Sequence, residues 1–248
     1  RDFTIALWIK PAQYDRARLS DSRATVDLAT LTNGTAIFDF GSPNPQFAEA
    51  ARTRMHLTVR ASNDTPVPRF AITTSGVDGE QRLDVTQPLA VDRWTHIAIT
   101  RAGSTATLYI DGQPVASNPN MTLAPADLGE TSSNWLGRCQ FPQRNVSYLN
   151  AQLDAFQIFD RALTPADVQS LMTSATGLTG GGNVLAYHFD EADGPRVEDA
   201  SGKGRHGTVM APTDGRRHPG FLSAYAETQF LRLEEFATYG GNRSEEHT

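Results

Sequence analysis

Residues 89–116, LAVDRWTHIAITRAGSTATLYIDGQPVA, decide the fold. From Trp94 to Arg101 and again from Thr105 to Ile110, apolar and polar residues alternate with the two-residue period of a strand that turns one face to a core. Between the second run and the next, Asp111-Gly112 suits the positive backbone dihedrals of a tight hairpin turn. Pro114 lacks an amide hydrogen, so the returning strand begins at a sheet edge or at a non-bonded position.

The same period recurs along the chain. Phe3, Ile5, Leu7 and Ile9 alternate with Thr4, Ala6, Trp8 and Lys10. Similar brief runs lie at residues 36–40, 54–60, 69–74, 152–159 and 184–189. One helix is expected, in RALTPADVQSLM. There Thr164 is the N-cap, Pro165 takes the first helical position, Asp167 completes a capping box, and Val168, Leu171 and Met172 form an apolar stripe. Short strands without long intervening helices argue against a doubly wound or barrel enzyme and for an all-β, two-sheet antiparallel sandwich of the jelly-roll kind.

Composition sets the outer limits. A chain of 248 residues encloses a core without disulfides, as one large all-β domain or two smaller ones. Its formal net charge of −6, with no basic stripe, gives no general attraction to nucleic acid, whereas a neutral or weakly polar glycan is easily accommodated. Cys139 is the single cysteine, which excludes a disulfide framework or cysteine metal cluster; a small buried apolar side chain is the expected role. No stretch approaches eighteen apolar residues, so no membrane insertion is expected. The chain opens directly on the strand-like RDFTIALWIKP, so the missing signal peptide says little about the unprocessed protein.

A series of phrases resembles one family closely: DFTIALWIKP, IFDFGS, MHLTV, PRFAITTSGVDGEQRL, the stretch quoted first, NWLGRCQFP and AQLDAFQIFDRALTPADVQSLM, in order over residues 2–172. The family is that of the laminin-G-like, or concanavalin A-like, jelly-roll modules attached to secreted glycoside hydrolases. Two stretches, residues 14–36 and 44–54, are longer and more polar than that pattern and are expected to be surface loops.

The resemblance also orders the remainder of the chain. In such modules AYHFDEADGPRVEDASGKGRHGTV, residues 186–209, resembles the first segment, and HPGFLSAYAETQFLRLEEF, residues 218–236, the second. The expected organisation is a main body at 1–172, a glycine-rich linker at 173–183, completing strands at 184–236 and a flexible tail at 237–248. Closure within one chain, as a circular permutation, is favoured because a jelly roll without its opening strands exposes unpaired edges. Proteolytic processing and domain swapping are the alternatives.

Chemistry is sparse. Asp190, Glu191, Asp193, Glu198 and Asp199 cluster beside Gly194, Gly202 and Gly204, a composition that suits calcium but also plain acidic turns. The resemblance implies a structural calcium between this loop and the late strand, with Asp199 and Asp154 as carboxylates and Asp190 and Gly202 beside them. Ala155 stands where the family often has a second carboxylate.

No catalytic motif is present, the six histidines show no ligand spacing, and no carboxylate pair lies in a motif that fixes glycosidase geometry. His96 and His188 are expected to pack within strands. Among the aromatic residues Trp8, Trp94 and Trp135, core packing is the plainer role, and Phe141 and Arg144 lie in a polar run; Trp135, Arg138 and Tyr148 are the ligand-binding candidates. Asn33, Asn145 and Asn242 head sequons that matter only in a eukaryotic secreted protein.

The expected function is an accessory carbohydrate-binding or structural module of a secreted protein, adjoining a catalytic domain and binding a polysaccharide or other glycan. A fragment of a glycoside hydrolase with its catalytic residues elsewhere is one alternative, and an adhesion or purely structural module is the other.

Overall fold

The computed structural model describes residues 1–12, 36–42, 53–59, 67–140, 149, 151–174, 178, 181–191, 194–210, 222–224 and 230–233. Both long expected loops lie mostly outside these residues, as do residues 175–177 and 179–180 of the linker and all of the tail.

Two antiparallel sheets face each other. The seven-stranded sheet runs β11 (Asn183–Tyr187), β10 (Ala151–Phe159), β1 (Phe3–Pro11), β6 (Thr95–Ala102), β7 (Thr105–Ile110), β8 (Gln113–Asn118), and β14 (Leu222–Ala224) also pairs with β10. The eight-stranded sheet runs β12 (Arg196–Val197), β13 (Gly207–Met210), β15 (Phe230–Leu233), β9 (Ser133–Leu136), β2 (Ala36–Gly41), β3 (Arg54–Thr58), β4 (Arg69–Thr73), β5 (Gln81–Asp84). The all-β sandwich expected from the alternation is the observed architecture.

The alternating apolar residues meet between the sheets. Phe38 and Phe40 of β2 stack at 4.8 Å, and Phe156 of β10 packs edge-on against each at 6.2 Å. Ile5, Leu7 and Ile9 of β1 and Met55 and Leu57 of β3 join the same core, all fully buried.

Central strands of the seven-stranded sheet are buried on both faces, which alternation alone did not indicate. The helix α1 (Pro165–Leu171) presses Val168 and Leu171 onto the outward Ala6, Ala98 and Tyr109. Its start is as read: Thr164 Oγ1 accepts from the Asp167 amide at 3.1 Å, and Asp167 Oδ2 accepts from the Thr164 amide at 3.1 Å.

At the β7–β8 hairpin Asp111 and Gly112 have φ of 48° and 74°, the turn that Asp-Gly favours. A Cβ on Gly112 would also lie 2.9 Å from Met172 Sδ, so the helix end seats over this turn. The strand carrying Pro114 is the sheet edge.

The strands after residue 183 are integral to both sheets. Ala186 and Tyr187 pair with Gln157 and Phe156, while β15 lies between β13 and β9, with Leu231 opposite both Val209 and Leu136. Among the described residues no helix is long and apolar enough to cross a membrane.

Candidate functional site

Register across the eight-stranded sheet places residues from separate parts of the chain in one row. Because Phe38, Phe40, Met55, Leu57 and Leu136 point into the core, the residues between them point outward. Asp39 is directly opposite Trp135 on one side and His56 on the other, and His56 is opposite Ala71. A neighbouring outward row holds Gly41, Arg54 and Thr73, with Glu80 at the entry to β5.

The aromatic end of this face is Trp135, half-buried, with the Arg138 guanidinium 4.4 Å from its ring centroid. Two of the three ligand-binding candidates are thus together; Tyr148 lies outside the described residues. Trp8 and Trp94 are likewise half-buried. Cys139, expected as a buried apolar side chain, is only half-buried, because it follows β9 rather than lying within it.

The polar end was not singled out from the sequence. Arg54 lies between two carboxylates, with Nη1 3.6 Å from Asp39 Oδ2 and Nη2 3.1 Å from Glu80 Oε1. Gln140 donates from its amide to Asp39 Oδ2 at 3.2 Å and from Nε2 to the Ser133 carbonyl at 2.8 Å. Glycine at 41 makes room: a Cβ there would lie 2.7 Å from the Thr53 carbonyl oxygen and 2.8 Å from Gln140 Nε2.

Burial dominates the electrostatics. Asp39, 1% exposed, has its pKa pushed up to about 6 by desolvation, against which Arg54 and the Gln140 hydrogen bonds work only in part. His56 is held well below the usual histidine range by desolvation and then by Arg54 and Arg69, so it is neutral. A charged residue within the apolar run AIFDF and a histidine in the run RMHLT were the signals available; nothing local marks Glu80.

The acidic residues read from the sequence divide into two groups. Asp199 is saturated: Oδ1 accepts from the amides of Ala186 and Ser201, both at 3.0 Å, and Oδ2 from Ser201 Oγ at 2.8 Å and the Arg205 amide at 2.9 Å. Burial opposes its ionisation, but these hydrogen bonds outweigh it and its pKa is lowered. As placed, it anchors a turn containing Gly202 at φ 77° and offers no open lone pair to a cation.

Asp154 differs. Desolvation raises its pKa, and the nearby Asp190 carboxylate raises it further while His188 opposes. Ala155, at φ 46°, turns its amide onto Asp154 Oδ1 at 2.6 Å. Among the described residues no three acidic, histidine or cysteine side chains converge as a metal cage. Of the resemblance's set, Asp154 and Asp190 are the carboxylates whose charges act on each other.

The family model of the concanavalin A-like lectin/glucanases superfamily, laminin G type, matches residues 1–169. The chain belongs to this superfamily. No curated protein matches the sequence. Among solved structures, a Bacteroides ovatus protein provisionally described as carbohydrate binding is 16% identical, with a TM-score of 0.54, over 92% of this chain and 54% of that one. Domain 4 of an extracellular family 43 arabinanase from Geobacillus stearothermophilus, solved with arabinotriose, is 17% identical over 68% of this chain and 65% of that one, with a TM-score of 0.44. A sialidase module from Ruminococcus gnavus, bound to α2,3-sialyllactose, is 11% identical over 68% and 81%, with a TM-score of 0.46. The chain therefore spans about half of the first of these proteins and just under two thirds of the second.

Proposed function

We propose that the chain is a non-catalytic glycan-binding module of an extracellular carbohydrate-active protein, receiving its ligand on the outer face of the eight-stranded sheet around Trp135 and Arg138. The observation that carries this reading is the half-buried indole of Trp135 on that face, with the half-buried Arg138 guanidinium 4.4 Å from its ring centroid. A sugar ring has the matching chemistry, a C–H face for the aromatic surface and hydroxyls for the polar groups. Secretion and an adjoining catalytic domain rest on the family and on the company its modules keep. The pairing of residues 183–187 and 230–233 into the two sheets supports a permuted module closed within one chain.

The test is calorimetry of the purified chain with arabinan, xylan, galactan and glucan oligosaccharides, alongside an assay for released reducing ends. Binding without turnover is expected, weakened at least about tenfold in Trp135→Ala with the melting temperature held within a few degrees. Turnover abolished by replacing one Asp or Glu would make the chain part of a hydrolase. Neither binding nor turnover would make it a structural or adhesive module.

A further inference from the structure

We propose that Gln140 is a positioning residue for the glycan face: by tying the bend at 137–140 to β2 and β9, it holds the Arg138 guanidinium over the Trp135 indole before a sugar arrives. The proposal rests on the glycan-binding reading and specifies how that site is kept in order.

Arg138 lies on the bend that follows β9 and not on the strand itself. Gly137, at φ 82°, turns the chain out of the ladder that fixes Trp135. Backbone groups hold the near end of the bend: the Gly137 amide donates to the Ile37 carbonyl, and the Gly137 carbonyl accepts from the Leu149 amide, both at 2.9 Å. Gln140 holds the far end. Its backbone amide donates to Asp39 Oδ2 at 3.2 Å and its Nε2 to the Ser133 carbonyl at 2.8 Å. Ser133 opens β9, and Asp39 is directly opposite Trp135, so both anchors belong to the pair of strands that carries the indole. Arg138 Nε donates to the Cys139 carbonyl at 3.3 Å, which joins the guanidinium to the backbone of the bend. Where the bend is held, the guanidinium is held.

Gln140 is buried, so it acts through the bend and not by touching a ligand; the half-buried Trp135 and Arg138 are the groups a sugar reaches. An arginine side chain loses much rotamer freedom when it is immobilised. If the fold has already ordered it, that loss no longer opposes binding, a difference of about three- to tenfold in affinity. Gly41 belongs to the same arrangement, since a Cβ there would lie 2.8 Å from Gln140 Nε2.

The experiment uses Gln140→Met, which keeps the length of the side chain and the backbone amide but has no donor for the Ser133 carbonyl. Calorimetry compares the native chain, Gln140→Met, Arg138→Ala and the double variant, with whichever arabinan, xylan, galactan or glucan oligosaccharide binds the native chain most tightly; melting curves check that each variant folds. Gln140→Met should weaken binding about three- to tenfold in the native background and less than about twofold in the Arg138→Ala background, because a residue that acts through Arg138 has nothing left to position there. A second readout needs no sugar. The Arg138 Nε–H resonance, assigned by its loss in Arg138→Ala, is displaced by the ring current of the indole 4.4 Å away, and should move toward the position of a solvated arginine in Gln140→Met and in Gly41→Ala.

Equal weakening with and without Arg138 would overturn the proposal and leave glycan binding standing, for Gln140 would then support the sheet and not the guanidinium. An Arg138 resonance unmoved in both variants would overturn it as well. Should Gln140→Met fail to fold, Gly41→Ala, which crowds the same side-chain amide, takes its place in both measurements. Absence of binding by every oligosaccharide removes the glycan-binding reading and Gln140's part in it.

Discussion

Replacing Asp39 with Asn should stabilise the protein at neutral pH, although it removes one member of an ion pair. Asp39 is 1% exposed, and desolvation lifts its pKa to about 6 from the ordinary 3.8 despite Arg54 at 3.6 Å. A folded-state value above the unfolded one means that folding favours the protonated acid. Its contribution is complete below about pH 4 and is lost as pH rises through about 6. Each pH unit separating folded and unfolded values is worth about 1.4 kcal/mol, so a separation of about two units makes the loss about 3 kcal/mol.

Asparagine resembles the protonated acid at every pH. The difference in unfolding free energy, Asp39→Asn minus native, should therefore rise by about 3 kcal/mol between pH 4 and pH 8, or about 6–12 °C in Tm for a domain of this size. Urea unfolding of both proteins at half-unit pH intervals measures it, and the remaining histidines cancel in the subtraction. A difference that stays flat, or that falls as pH rises, would show that Arg54 overcomes desolvation and refute the reasoning.

Three further outcomes are expected. Asp199→Ala strips four hydrogen bonds from the turn at 199–205 and should cost about 3 kcal/mol in urea unfolding above pH 5, with a smaller cost at pH 3, because the lowered pKa places the carboxylate's contribution above its folded-state value. Gly41→Ala forces a Cβ to within 2.9 Å of three atoms and should lower stability by about 1–3 kcal/mol, while displacing Gln140 and weakening sugar binding in the same calorimetric assay. Calcium at Asp154 and Asp190 should raise the Tm of chelator-treated protein when added at about a hundred times its Kd, a gain of about 2.7 kcal/mol that Asp154→Ala abolishes; an unchanged Tm with millimolar calcium would mark these residues as acidic turns.

Features that depend on neighbouring residues were legible before folding was considered. Asp111-Gly112 specifies its turn because positive φ costs those residues little, and Thr164, Pro165 and Asp167 specify the start of α1 because a cap is completed within four residues. Alternation at Phe3–Ile9 and in the runs around it marked the strands and hence two packed sheets. The four-residue strands Gln81–Asp84, Ser133–Leu136 and Gly207–Met210 and the two-residue Arg196–Val197 were not legible, since strands this short exist only through the partners that hydrogen-bond to them.

The candidate site is of that second kind. Trp135 and Arg138 could be named from the sequence, but their company could not. Asp39, His56 and Trp135 share a row only because β9, β2 and β3 pair in one register, and a slip of one residue would turn Asp39 into the core. Asp39 has a raised pKa and an unpartnered oxygen because water is excluded from it. Desolvation belongs to the packed molecule, so only the tertiary structure could turn an aspartate in an apolar strand into the polar centre of this face.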